Sequence, residues 1–317
     1  MDNEVAKEQC ILALKYVMGD GVPKDLSFAA RIFEDVANDG HPNGQFGLAE
    51  LLIEGNGIPQ DVKRAMDLYR KAAAQDHPAA MFRLGHYMMD KGSDQDRQKA
   101  REYFERCADF GMTMAYIVIG DIYFYGVGTE SNTDRAFEWY YKAALEDDAV
   151  AMFKCGYMYE QGVGTKKDEV MAITMFEQAA LRKLPEAQFK MATLAYDGRI
   201  PGGKKEAADW YERSAAQEFP AAQFNLASMY YDGDGIDKDL EKAFILYKNV
   251  ADDTQDKDAL FFLGRMYLEG TGTEQNAEKA FECIGKAADA GNEMAQQIIS
   301  DLKKRQNTQF IKIDGTD

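Results

Sequence analysis

The sequence predicts an all-α solenoid of about eight helix pairs, on three observations. A glycine-containing loop returns at Gly19, Gly55, Gly126, Gly162, Gly198, Gly233 and Gly270, with Lys91 standing in the third place, and most steps are 36 residues. An alanine returns in phase with it, at Ala29, Ala65, Ala100, Ala136, Ala172, Ala207, Ala243 and Ala280. Apolar residues between these anchors fall at helical spacing. A continuous period over most of 317 residues outweighs the length-based expectation of two globular domains and predicts one elongated domain over residues 1–305.

Repeats are expected near 5–42, 43–78, 79–113, 114–149, 150–185, 186–220, 221–257 and 258–292. Within each, helix A ends at the loop glycine, because a residue without a Cβ takes the left-handed conformation of a helix C-terminus. Helix B then starts at a short polar residue four before the alanine: Asp25, Asp61, Asp96, Asn132, Asp168, Gly203, Asp239 and Asn276. Such residues accept hydrogen bonds from the first-turn amides. Ala222, Leu226, Ala227 and Tyr230 give helix A of repeat seven one apolar face, and Ala243, Leu246, Tyr247 and Val250 do the same for its helix B. The third loop, Lys91–Asp94, and the sixth, Gly198–Lys205, depart from the pattern. Met294, Ile298, Ile299 and Leu302 predict a capping helix over 293–305, and residues 306–317 are expected to be a disordered tail.

Several chemistries are excluded by position. The stretch YDGDGIDKDLEKAF, Tyr231–Phe244, crowds aspartates like a calcium loop, but counting from Asp232 puts Ile236 fifth, Asp237 sixth and Ala243 twelfth, where an EF-hand needs a carboxylate, a glycine and a glutamate. Cys10, Cys107, Cys155 and Cys283 fall where other repeats carry apolar residues; with His41, His77 and His86 they form no zinc spacing. No strand precedes the glycine loops, which excludes a dinucleotide fingerprint. No Ser/His/Asp or Cys/His constellation is legible, so no catalytic, cofactor or metal residue is expected. A net charge of -17 disfavours nucleic acid and anionic membrane and favours a basic partner. The start of the chain lacks a secretory pattern and no apolar run approaches 18 residues, so a cytoplasmic protein without membrane insertion is expected.

The consensus Ala-x-x-x-Leu-Gly/Ala-x-x-Tyr-x-x-Gly-x-Gly-Ile/Val-x-x-Asp-x-x-Lys-Ala-x-x-Trp/Leu-Tyr-x-Lys-Ala-Ala, clearest in 222–250, 44–73 and 151–180, resembles the Sel-1-like repeat family, cousins of the tetratricopeptide repeats. The resemblance covers about residues 5–292. It implies antiparallel helix pairs stacked into a right-handed superhelix with a concave face for protein partners, and no chemistry. It also implies a role as adaptor, regulator or enzyme activator, or as an immunity protein that binds a toxin, and the acidic charge favours a basic toxin or enzyme as the target of the last.

Two rows of helix A residues are candidates for that face. Cys10, Phe46, Phe82, Ile117, Phe153, Phe189, Phe224 and Phe261 precede the helix A leucine by two residues and point away from its stripe. They either wedge between adjacent A helices or line the groove. Val17, Ile53, Met89, Phe124, Glu160, Tyr196, Tyr231 and Leu268 follow the leucine by five. Between the rows lie Leu14, Glu50, His86, Asp121, Tyr157, Thr193, Ser228 and Arg265, nearly all different, as recognition positions should be. The expected protein-binding set is Asp121, Phe124, Phe153, Tyr157, Glu160, Phe189, Tyr196, Phe224, Tyr231 and Arg265, across repeats four to eight, with docking centred on repeats four to seven. Inhibition of a basic toxin, a scaffolding role and, remotely, an enzyme are the alternatives to a plain adaptor or regulator.

Overall fold

A computed structural model describes residues 2–313; among them are seventeen helices and no strand. The chain divides into two compact units, Met1–Asp168 and Glu169–Asp317. The first holds α1 (Asn3–Met18), α2 (Leu26–Asn38), α3 (Pro42–Glu54), α4 (Val62–Ala73), α5 (Pro78–Lys91), α6 (Asp94–Asp109), α7 (Thr113–Tyr125), α8 (Thr133–Leu145) and α9 (Ala149–Gln161). The second holds α10 (Glu169–Leu181), α11 (Pro185–Tyr196), α12 (Gly203–Ala215), α13 (Pro220–Asp232), α14 (Leu240–Thr254), α15 (Lys257–Glu269), α16 (Ala277–Asp289) and α17 (Glu293–Ile313). Within each unit every helix packs against the next in chain order.

The alanine anchors lie in the core. Ala29, Ala65, Ala100 and Ala136 in the first unit, and Ala207, Ala243 and Ala280 in the second, are all fully buried. A methyl there lets neighbouring helices approach, and a larger side chain would force them apart. The faces expected to be apolar are buried, Ala222, Leu226, Ala227 and Tyr230 in α13 and Ala243, Tyr247 and Val250 in α14, except that Leu246 is half-buried.

The loop glycines serve two purposes. The first of each Gly-x-Gly pair closes helix A in the left-handed region, as Gly55 does at φ 71°. The second presses on the start of helix B one repeat earlier: Gly57 has φ 76°, its carbonyl accepts from Ser27 Oγ at 2.8 Å, and a Cβ there would collide with the backbone of Leu26.

Asp25, Asp61, Asn132, Asp239 and Asn276 cap their helices through the amides of Phe28, Arg64, Arg135, Lys242 and Lys279. The two irregular repeats differ from expectation. Helix α6 starts three residues earlier, on Ser93, and the Asp96 carboxylate accepts from the Ser93 backbone amide in a capping box. Helix α12 follows Gly202, at φ 98°, with Gly203 already its first residue. His41 and His77 are also caps, accepting from the amides of Asn43 and Ala80 ahead of α3 and α5. Finally, α17 continues to Ile313 where a tail was expected from 306, since neither glycine nor proline interrupts 293–313. The last four residues, 314–317, lie outside the described residues.

Candidate interaction surface

Helix A carries the candidate residues, and helix B decides which of them are free. Four residues after seven of the eight alanine anchors, helix B presents a buried ring, Phe33, Tyr69, Phe104 and Tyr140 in the first unit and Phe176, Tyr211 and Tyr247 in the second; Ile284 takes the place in the eighth. The phenylalanine row packs on these rings. In the first unit Phe46 meets Tyr69 at 5.9 Å and His77 at 4.9 Å, and Phe82 meets Phe104 at 5.5 Å. In the second, Phe189 meets Tyr211 at 5.7 Å and Phe219 at 5.5 Å, while Phe224 meets Tyr247 at 5.4 Å. These phenylalanines and Phe153 are half-buried, and Phe261 is 3% exposed. In repeats two, three, six and seven the row is therefore a seam between helix A and the helix B ring of the same repeat, with one edge open.

Where the ring is a tyrosine, two of the residues between the rows, Glu50 and Asp121, meet its hydroxyl. In the first unit Tyr69 donates to Glu50 Oε1 at 2.5 Å, and Arg83 of the next repeat clamps that carboxylate through Nε at 3.0 Å and Nη2 at 2.8 Å. Tyr140 donates to Asp121 Oδ1 at 2.5 Å, and Lys154 donates to the same oxygen at 2.8 Å while lying 5.1 Å above the Tyr140 ring. Burial first, and the carboxylate second, push both phenols far above the usual tyrosine range, so they remain donors. Asp121, expected to await a partner, is thus already committed to Tyr140 and Lys154. Of the other expected residues here, Phe124 and Glu160 are half-buried, Phe124 lying edge-on to Tyr125 at 5.1 Å, and Tyr157 is 50% exposed.

The second unit repeats the rung with different chemistry. Thr193 stands in the place of the acid and Asn225 in that of the base, and Asn225 Nδ2 donates to the Tyr211 hydroxyl at 2.9 Å. One rung on, Phe262 replaces the base and stacks on Tyr247 at 5.0 Å, and the Tyr247 hydroxyl is fully buried. Tyr196 and Phe224 come together in a cavity of about 320 Å³ whose walls include Thr193, Asp197, Tyr211, Asn225, Asp232 and Asp234. Tyr196 donates to Asp234 Oδ2 at 2.7 Å, and Lys204 to Asp234 Oδ1 at 2.5 Å from above the Tyr196 ring. The Lys204 ammonium first, and the Tyr196 hydroxyl second, hold the Asp234 carboxyl below the usual carboxylate range. Phe189, Tyr231 and Arg265 do not line this cavity: Tyr231 packs edge-on to Phe262 at 6.3 Å and Arg265 pairs with Glu269 at 3.3 Å. Tyr211 and Asn225 were missed by sequence reasoning, although the recurring ring four residues after the alanine marks Tyr211.

An apolar cleft of about 560 Å³ in the first unit was also missed, with Ile11, Leu14, Val17, Phe46 and Leu51 among its walls. Among the described residues no group of three or more histidine, cysteine or carboxylate side chains is placed to hold a metal ion, and no helix is long and apolar enough to cross a membrane. Burial pushes the thiols of Cys10 and Cys107 up to about 11 and that of Cys155 to about 12.

The Sel1 repeat profile matches eight times, at residues 9–41, 42–77, 78–109, 113–148, 149–183, 185–219, 220–252 and 257–292. The fold is similar to the crystal structure of a Sel1 repeat protein from Oxalobacter formigenes, with TM-score 0.76 and 27% identity over 94% of this chain and 87% of that one. It is also similar to c5321, described as a protective antigen of uropathogenic Escherichia coli with an SLR fold, with TM-score 0.67 and 26% identity over 92% of this chain and 70% of that one. Comparison with curated proteins finds no match. Eight matched repeats, spanning residues 9–292 with few breaks, show that the chain belongs to the Sel1 repeat family.

Proposed function

We propose that this chain is a non-catalytic docking protein, an adaptor or regulator, that binds a partner protein with a basic surface on the face formed by its A helices. Sel1 repeat proteins generally mediate protein–protein interaction, on a scaffold that is typically non-catalytic. The observation that carries the reading is the exposed Tyr196 beside exposed Asp197 and Asp232 in the second unit. The first unit adds its own exposed rings, Tyr125 and Tyr157. Rings and carboxylates together attract lysine and arginine by cation–π contact and charge. Burial raises the thiols of Cys10, Cys107 and Cys155 to about 11 to 12, which disfavours their thiolates at neutral pH.

The test compares capture of basic proteins by the wild-type chain and by a variant with Phe124, Tyr157, Tyr196 and Tyr231 all changed to alanine, at low and moderate salt. The reading expects a stoichiometric partner that is lost with salt and lost in the variant. A folded variant that retains the partner would remove the A-helix face from consideration. Neutralisation of a basic toxin or enzyme is a narrower form of the same reading, supported by the net charge of -17; assaying the captured partner with and without the chain separates inhibition from adaptation.

A further inference from the structure

We propose that the cavity between repeats six and seven receives one arginine side chain of the partner protein, in the place that Arg83 and Lys154 occupy in the chain's own earlier rungs. The inference rests on the docking function above and names its anchor. Twice the chain shows how a cation sits at this position. Arg83 lies across Glu50 beside the Tyr69 hydroxyl, and Lys154 lies on Asp121 over the Tyr140 ring. In the rung of Tyr211 the internal base is gone: Asn225 is shorter and neutral, and a cavity of about 320 Å³ opens beside it.

The acid has not gone with the base. Thr193 replaces it at the rung, but Asp197 stands one helical turn further along the chain, and Asp232 occupies the same relation to Ser228. Both are exposed, and neither is held in an ion pair among the described residues. The third carboxylate, Asp234, is already matched by Lys204. The cavity thus keeps two carboxylates in excess, walls of Tyr196, Tyr211 and Phe224, and the side-chain oxygen of Asn225 as a further acceptor. Its volume is at the small end of the roughly 300–1,000 Å³ of ligand clefts, a size for one side chain. A planar guanidinium with five donors stacks on a ring and reaches two carboxylates at once, whereas an ammonium is a compact point charge. Arginine is the better fit.

The test titrates the full chain with acetyl-Gly-Ala-Arg-Ala-Gly-amide and with its citrulline and lysine counterparts, following side-chain NMR signals of Tyr196 and Asn225. The arginine peptide is expected to shift both, and the citrulline peptide to bind at least about tenfold more weakly. D197N/D232N should weaken the arginine peptide about tenfold. Asn225→Arg, which restores the internal base, should block the site while the chain stays folded. Equal binding of the citrulline or lysine peptide overturns the assignment, as does unchanged binding to folded N225R. Tighter binding of free L-arginine than of the peptide overturns the protein source. A captured partner retained by N225R defeats this inference and leaves the docking reading standing; peptide binding without any captured partner does the reverse.

Discussion

Tyr140 and Asp121 meet between helix B and helix A of repeat four at 2.5 Å, hydroxyl to carboxylate, and Lys154 of the following repeat reaches the same oxygen at 2.8 Å. One contact thus joins two helices of a repeat, and the other joins that repeat to the next. The hydroxyl is held on a buried ring and its acceptor is charged, so Tyr140→Phe is expected to cost about 1–2 kcal/mol. Lys154 and Asp121 are 28% and 38% exposed, so Lys154→Met should cost roughly 0–1 kcal/mol. Chemical denaturation of the two variants checks the order; a larger loss at Lys154 would make the ion pair the stronger tie.

Gly57 and Gly21 occupy the same loop position in the second and first repeats. Both have positive φ, 76° and 70°, but a Cβ on Gly57 meets Leu26 whereas one on Gly21 meets open space. Gly21→Ala should cost only the left-handed strain, about 1–2 kcal/mol. Gly57→Ala adds overpacking against a backbone that cannot yield, for a total of about 3 kcal/mol. Equal losses in thermal unfolding would mean that the loop does not bear on the earlier helix.

The period, the helix pairs and most caps were legible because each is written locally: a polar residue at a helix start, a glycine at its end, an alanine at the contact. Caps failed at Asp96 and Gly203, where irregular loops shift the helix start against the alanine register. The candidate face was legible only in outline. Nothing adjacent to Asp121 announces its engagement, since the tyrosine that binds it stands 19 residues later and the lysine 33 later. The same spacings, 19 and 33, link Glu50 to Tyr69 and Arg83. That triple, once known, can be read from sequence, and its failure at Thr193, Tyr211 and Asn225 marks the cavity.

His77 makes stability depend on pH. Its Nδ1 accepts from the Ala80 amide at 3.2 Å and its Nε2 lies 3.0 Å from Asn43 Oδ1, so the ring caps α5 as neutral imidazole with Nε2 donating. Burial, then the neighbouring His41, lowers its pKa from 6.5. As pH falls below 6.5 the unfolded chain takes up a proton that the folded chain resists, so the cap's contribution, complete above 6.5, is lost as pH falls through the folded pKa. The melting temperature should therefore drop between pH 7 and pH 5, and His77→Ser, which caps without titrating, should flatten that drop. An unchanged slope would assign the acid sensitivity elsewhere.

Lys204 is the cavity's own counter-ion. It donates to Asp234 at 2.5 Å and lies 5.1 Å above the Tyr196 ring, the ring an incoming cation would use. Its side chain is 46% exposed, so solvent screens its ion pair and the pair adds little stability. Lys204→Met should leave folding nearly unchanged while freeing a third carboxylate and one face of the ring. Affinity for a basic partner is then expected to rise several-fold at low salt, with a steeper fall as salt is added, because more of the attraction is long-range and screened. Asp232→Asn should move both quantities the other way. Titration of the two variants at two ionic strengths decides the matter: if Lys204→Met weakens binding instead, the ammonium is needed to hold Asp234 and Tyr196 in place, and the site works through that fixed geometry rather than through its excess charge.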